Sequence, residues 1–401
     1  MENEAGNYMK QEFKDLDEIL QQLPGLPDRL AGIQETLIAN LIMLGEIPSP
    51  TFEEAARIKL FLQRMVECGL ENVSIDEAGN GVGIIRGTDP DRNILLVAHA
   101  DSVYTDKTDH TVSVYADEIA GPGIADNSLG MAVLTTMPTL LDSLGIRFNS
   151  NLVLLSSTKG MGRGNLDGLR FFMENNEIPF SAGICVEGAQ LGRLSYDAEG
   201  MFRGYITCRI PEELDWKMAG VRSAIIALND VINHILEIPI PRRPRTSIVL
   251  GAIRGGKSYN VMATQSSLRF EVRSESAAMV QTIRDKVEEI IAHATATHNA
   301  EFEFNVVATR DPGGIDIGHP LVRTCRRIME TLSMKTTIRP SMSELSELIS
   351  RGLPSVTLGI TDASHLHDLD ETIRIRPIYT GLAQLLAVLM AIDGGFCDEP
   401  E

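Results

Sequence analysis

A chain of 401 residues is long enough for two or three domains of roughly 150 residues, and its 43% apolar and 23% charged residues are the usual mix of a globular protein. A formal net charge of −19 repels phosphate backbones and anionic lipid, which argues against nucleic acid and membrane surfaces as partners. Five scattered cysteines with no CxxC pair exclude a disulfide frame and a zinc knuckle, and read as the reduced thiols of a cytoplasmic protein.

The opening stretch MENEAGNYMKQEFKDLDEILQQ is acidic and polar, without the basic and apolar regions of a signal peptide. Apolar residues then recur at helical spacing from Leu37 to about Leu70, around a break at IPSP (47–50). Four short apolar runs follow, each leading into a polar loop: NILLVAHAD (93–101), NLVLLSST (151–158), AGICVEG (182–188) and SVTLGITDAS (355–364). Helix-patterned segments at 128–144 and 165–176 lie between them. Strands alternating with helices predict an α/β domain, and the continuous apolar runs predict a mostly parallel central sheet flanked by helices.

Between about 202 and 309 the order changes. A strand (MFRGYITCRI), a helix (222–237), two strands (TSIVLGAIRGG and SSLRFEVRS), a helix (276–296) and a strand (EFEFNVVAT) follow one another. This β-α-β-β-α-β order predicts a small two-layer α+β domain of ferredoxin-like form. The α/β pattern resumes near 318. The expected organisation is a discontinuous α/β domain, 1–201 with 310–401, carrying an inserted domain at 202–309. The apolar tract GLAQLLAVLMAI (381–392) is too short to span a bilayer and reads as a buried helix.

In an open α/β sheet, ligands bind beyond the carboxyl ends of the strands. His99 and Asp101, spaced H-x-D, follow the first run, and Asp126 lies in the turn GPGIADNSLG. Glu187 follows AGICV, and His367 lies a few residues past SVTLG. Two imidazoles and two carboxylates at strand ends suit a borderline cation such as zinc. Asp101 is placed to orient the His99 ring through its other nitrogen. Taken singly, each has an ordinary alternative: Asp126 as a cap for the helix from Ser128, Glu187 as a turn residue, a histidine as a loop residue. Their shared location favours the metal reading. The glycines at 160, 162 and 164 do not make a nucleotide loop, because G-M-G-R-G-N does not fit G-x-G-x-x-G.

In this order the motifs IPSPTFEE (47–54), HADSV (99–103), GPGIADNSLG (121–130), VEG (186–188), RGGKSYNVMA (254–263), RGLPSVTLG (351–359) and H-D-L-D-E (367–371) are recognisable. From about Leu37 the chain resembles the family of two-metal (zinc) hydrolases that includes aminoacylase, glutamate carboxypeptidase, succinyl-diaminopimelate desuccinylase and tripeptidase. The resemblance implies that the inserted domain is a lid and dimerisation domain, and that the substrate is a small peptide or N-acyl amino acid. It implies His99 as a ligand of one metal, Asp126 as the bridging carboxylate, Glu187 as a further ligand of the first metal and His367 as a ligand of the second. It also implies a cis Asp126–Asn127 peptide, a substrate-facing Asn260, and an Arg273 that helps bind a substrate carboxylate.

The family's pattern also asks for two adjacent glutamates after the strand at 152–157, a general base and a ligand of the second metal. Thr158 and Lys159 stand there instead. A threonine hydroxyl is not competent as a base near pH 7, and base loss costs about 10²–10⁴-fold in rate. An ammonium about 4 Å from a divalent ion repels it by roughly 2 kcal/mol in water. The expectation is one zinc or none, with Lys159 as a built-in cation in the second metal position, neutralising Asp126 near His367. The family's lid histidine is also absent from DWKMAGVRSA (215–224), where Arg222 is the available electrophile. The loop ITDASHLHDLDE adds Asp362, His365, Asp368 and Glu371, one of whose acids could serve as a displaced base. Two readings stay open: an amide hydrolase with single-metal chemistry, and a catalytically silent member that binds a ligand or serves as a structural dimer.

Overall fold

The computed structural model describes residues 13–211 and 223–399. These form two compact units, one built from the chain up to Asp197 together with the chain from Gly314 onward, the other from Ala198–Gly313.

The first unit begins with two short helices, Leu16–Gln22 and Leu26–Leu30, which the hydropathy pattern did not predict. Their Ile19, Leu23, Leu26 and Leu30 enter the main core. Helices α1 (Gln34–Gly45) and α2 (Ala55–Glu67) follow, separated at the expected break around residues 47–50. Then come β1 (Val73–Ile75), β2 (Gly81–Ile85), β3 (Asn93–His99), α3 (Leu129–Leu144), β4 (Asn151–Ser157), α4 (Asp167–Asn175), β5 (Ala182–Ala189) and β6 (Arg193–Ser195).

The second unit runs β7 (Gly200–Arg209), α5 (Ala224–Leu236), β8 (Thr246–Gly255), β9 (Gln265–Ser274), α6 (Ala277–Thr297) and β10 (Glu301–Arg310). Its four strands form an antiparallel sheet in the order β8-β9-β7-β10, the ferredoxin-like arrangement expected of β-α-β-β-α-β. Ser223 and Ser276 cap its helices by accepting hydrogen bonds from Ile226 N–H and Met279 N–H. Phe202, Phe270 and Phe304 pack together with ring centroids 5.8–6.2 Å apart beneath the helices. The edge strand β8 leaves Val249 and Ile253 exposed.

The chain then returns to the first unit with α7 (Pro320–Thr331), β11 (Thr337–Ile338), α8 (Glu344–Ser350), β12 (Ser355–Thr361) and α9 (Pro377–Asp393). Its sheet has the order β1-β2-β4-β3-β5-β12-β6-β11, and the central four strands β4-β3-β5-β12 are parallel. Burial is complete along β3, β4 and β12, because residues of alternating parity feed two cores. Ile94, Leu96 and Ala98 join the core that includes α9, while Leu95 and Val97 join the core beneath α4 and α8. The tract 381–392 lies in α9, whose side chains are nearly all buried. No helix among the described residues is long and apolar enough to cross a membrane.

Candidate metal centre

The strand register assembles the first part of the site. Val97 pairs with Cys185, and His99 pairs with Ser157. Since side chains alternate along a strand, His99, Ser157 and Glu187 project from the same face at neighbouring carboxyl ends. His99 is 5% exposed. Its Nδ1 lies 2.9 Å from the Asp101 carbonyl oxygen, an acceptor only, so Nδ1 carries the proton and Nε2 is the free ligand atom. The main chain of Asp101 therefore takes the orienting hydrogen bond, with the carboxylate oxygen Oδ1 at 3.6 Å. The other oxygen, Oδ2, accepts from Thr51 Oγ1 at 2.8 Å and from Met161 N–H at 2.7 Å.

Asp126 is delivered by the turn Ile124–Ser128, and its peptide bond to Asn127 is cis. Asn127 fastens that turn to β5 on either side of Glu187. Its Nδ2 donates to Val186 O at 2.8 Å, and its Oδ1 accepts from Gly188 N–H at 3.0 Å. Gly130 is required here, since a Cβ would fall 2.3 Å from Asn127 Oδ1. On the other side the buried Glu371 carboxylate accepts from Ala125 N–H (2.6 Å), Asp126 N–H (3.0 Å) and His367 N–H (2.9 Å). One side chain thereby ties the Asp126 turn to the His367 loop.

The two oxygens of Asp126 face different histidines. Oδ1 lies 3.0 Å from His99 Nε2, and Oδ2 lies 3.4 Å from His367 Nδ1. Donor atoms of His99, Asp126 and Glu187 all fall within 4.8 Å of one another, and this is the only such trio among the described residues. Burial would lower the His99 pKa, but hydrogen bonds to Asp101 and Asp126 outweigh it and hold the ring well above its ordinary 6.5. Burial pushes the Glu187 carboxyl up to about 7, against the pull of Arg193 and His99. Burial would also raise Asp126, but the hydrogen bond to His99 keeps it below the ordinary range. Glu187 accepts only one long hydrogen bond, from Ser343 Oγ at 3.3 Å. A buried carboxylate so poorly answered, beside a second carboxylate and an imidazole, fits a divalent cation.

The remaining predicted residues divide. Thr158 is buried and turned away: its hydroxyl is shared between Ala78 O and Asn80 Oδ1, each at 3.2 Å, and its N–H donates to Asn80 Oδ1. Lys159 corrects an expectation. Its backbone is left-handed (φ 55°) and its N–H donates to Glu54 Oε1 at 2.8 Å. Among the described residues its ammonium makes no ion pair, with Asp126 or any other carboxylate, so it does not neutralise Asp126. In the 362–371 loop, Asp362 and Asp368 are exposed and His365 pairs with the exposed Asp370 at 3.1 Å. Glu371 is spent on backbone donors, which removes it as a displaced base. In the inserted unit Asn260 is exposed and Arg273 pairs with Glu271. Arg222 lies outside the described residues. Sequence reading missed Glu344 and Ser343, which lie far along the chain and reach the site only through the packing of α8.

Comparison with known proteins agrees with this geometry. Residues 80–159 match the model of peptidase family M28, and residues 218–299 match that of the M20-type peptidase dimerisation domain. No curated protein matches the chain significantly. Among solved structures, aminopeptidase PepT from Bacillus cereus superposes with a TM-score of 0.68 at 20% identity, over 90% of this chain and 98% of that one. The di-peptidase Dug1p from Saccharomyces cerevisiae gives 0.75 at 10% identity, over 96% and 99%. A dinuclear metal-binding peptidase of the M20 family from Bacillus subtilis gives 0.60 at 15% identity, over 90% and 98%. In fold and in its two matched segments, the chain is a relative of the aminoacylase, glutamate carboxypeptidase, succinyl-diaminopimelate desuccinylase and tripeptidase family of metal-dependent hydrolases.

Proposed function

We propose that the protein is a metal-dependent hydrolase of amide bonds in small peptides or N-acyl amino acids, working with a single divalent ion, zinc by the character of its donors. The observation that carries this reading is the lone trio of His99 Nε2, Asp126 and Glu187 at the carboxyl ends of parallel strands. A cation bound there would polarise an amide carbonyl and acidify water. The residues themselves do the positioning. Asp101 O holds His99 in the tautomer that leaves Nε2 free, Asn127 and Glu371 fix the Asp126 turn from both sides, and Ser343 orients Glu187. His367 stands at the second oxygen of Asp126 with its side chain 65% exposed. With Thr158 and Lys159 in the glutamate positions, nothing completes a second ligand set there. The inserted domain, taken as 202–309, would form the homodimer, in keeping with the match to a peptidase dimerisation domain.

Metal analysis of the purified protein tests the single-ion reading: one equivalent of zinc per chain is expected, and two would sink it. Loaded protein should then release free amine from a panel of dipeptides and N-acetyl amino acids. One observation favours the silent alternative, namely the Thr158 hydroxyl turned toward Ala78 and Asn80. Tight binding of one zinc with no turnover on any member of the panel would establish that alternative instead.

A further inference from the structure

A second buried carboxylate at the site is left unused by the ligand set. Glu344 opens α8 and is 3% exposed. Its Oε1 receives one long hydrogen bond, from Ser157 Oγ at 3.4 Å, and among the described residues it forms no ion pair. Other buried acids of the unit are well answered. Glu371 takes three backbone N–H groups, Asp393 takes those of Asn149 and Ser150, and Glu347 pairs with Arg170 and Arg351. Only Glu344 and Glu187 are buried with a single long hydroxyl contact apiece, and they stand at the same corner. A buried charge left in that state calls for a partner.

The position is specific. Ser157 sits opposite His99 in the ladder between β3 and β4, whose backbones lie about 4.8 Å apart. Gly160 closes the corner: a Cβ there would lie 3.4 Å from Glu344 Oε1, 3.0 Å from Asp101 Oδ1 and 3.7 Å from His99 Cβ. The charge of Glu344 acts on His99, Glu187 and Cys185, the titratable groups that face it from β3 and β5. Yet it is not one of the donors within 4.8 Å of one another. It stands outside the ligands and beside them, where a group that handles the proton of a bound water belongs.

We propose that Glu344 is the general base, brought by α8 to the same strand end where the resemblance expects a glutamate at position 158. As the water oxygen bonds to the amide carbonyl carbon, its proton passes to the Glu344 carboxylate. The same proton is then delivered to the amide nitrogen as the C–N bond breaks, giving a carboxylic acid and an amine. The inference rests on the hydrolase reading above, and the test separates the two. Wild type and Glu344→Gln are loaded with Co²⁺, and stoichiometry, affinity, the pH titration of the visible spectrum, kcat and KM are measured with N-acetylmethionine and a dipeptide panel.

Both proteins should hold one Co²⁺ with affinities within about threefold, since Glu344 is not a ligand. The kcat of Glu344→Gln should fall about 10²–10⁴-fold with little change in KM, and its spectral transition should move by a pH unit or more. Glu344→Asp, which keeps the charge, should retain part of the rate and the wild-type transition. If Glu344→Gln fails to fold, Glu344→Asp decides, a wild-type kcat and a displaced transition counting against the base. An unchanged kcat, a loss of Co²⁺ from Glu344→Gln, or an unmoved transition overturns the proposal. If the wild type cleaves nothing, the hydrolase reading falls and the spectral shift alone decides for or against Glu344. Failure of the wild type to hold Co²⁺ overturns both.

Discussion

The two sides of Asp126 differ more than their shared carboxylate suggests. Around Oδ1 the histidine is 5% exposed, its tautomer is set by a carbonyl, and Glu187 is held beside it by strand register. Around Oδ2 the His367 side chain is 65% exposed at a contact of 3.4 Å, carried by a loop in which His367 itself has a left-handed backbone. One side is built from strands and the other from a loop that has lost its opposing glutamate. The contrast teaches that a two-metal architecture can lose one site without disturbing the other, because the two draw on different elements.

The largest test of that contrast is paired. His99→Ala should reduce metal affinity by more than the roughly 10–100-fold typical of losing an outer partner, whereas His367→Ala should leave one equivalent bound at near wild-type affinity. Isothermal titration with Zn²⁺ checks both, and equal losses would mean that the two sides act as one site. Next in size is Glu371→Ala, which strands three backbone donors at about 1–3 kcal/mol for each that stays buried and frees both loops at once. Urea unfolding should show the loss, and metal affinity should drop about 10–100-fold.

A smaller effect is expected from Gly160→Ala, whose Cβ would press on Asp101 and Glu344. Overpacking of this kind costs about 1–3 kcal/mol, visible as a lowered Tm, and it should slow turnover more than it weakens metal binding. The last effect is a pH dependence confined to the buried side. In metal-free protein His99 and Glu187 both bind protons more tightly than in the unfolded chain, so folding stability must fall as they deprotonate. Stability should decline from about pH 4.5 through 7 as Glu187 ionises, and further above pH 6.5 as His99 loses its proton. Thermal melts after chelator treatment should show this slope, and His99→Ala should flatten its upper part.

Much of this arrangement was legible in order and spacing. Apolar runs fully buried on both faces marked β3, β4, β5 and β12, and reading the polar residue after each run found His99, Asp126, Glu187 and His367. The inserted βαββαβ segment was equally clear, because alternation and helical spacing switch there. Less legible was anything that depends on direction. Thr158 and Lys159 were identified as substitutions, but Lys159 was expected to point at Asp126. Its left-handed backbone and the Glu54 contact, neither of which has a local signature, leave its ammonium without that partner. Likewise the acids of 362–371 looked available, and only the three N–H groups converging on Glu371 show that it is engaged.

By itself, then, the sequence determined which residue types reach the strand ends and that the two family glutamates are missing, since hydrophobic burial and strand periodicity are local properties. Tertiary structure alone decided which acid fills the gap. Glu344 lies 186 residues from Thr158 in the chain, and no local pattern distinguishes it from the other glutamates of SELSEL. Packing of α8 against the sheet buries it next to Ser157, and burial without a partner is what makes its charge chemically consequential.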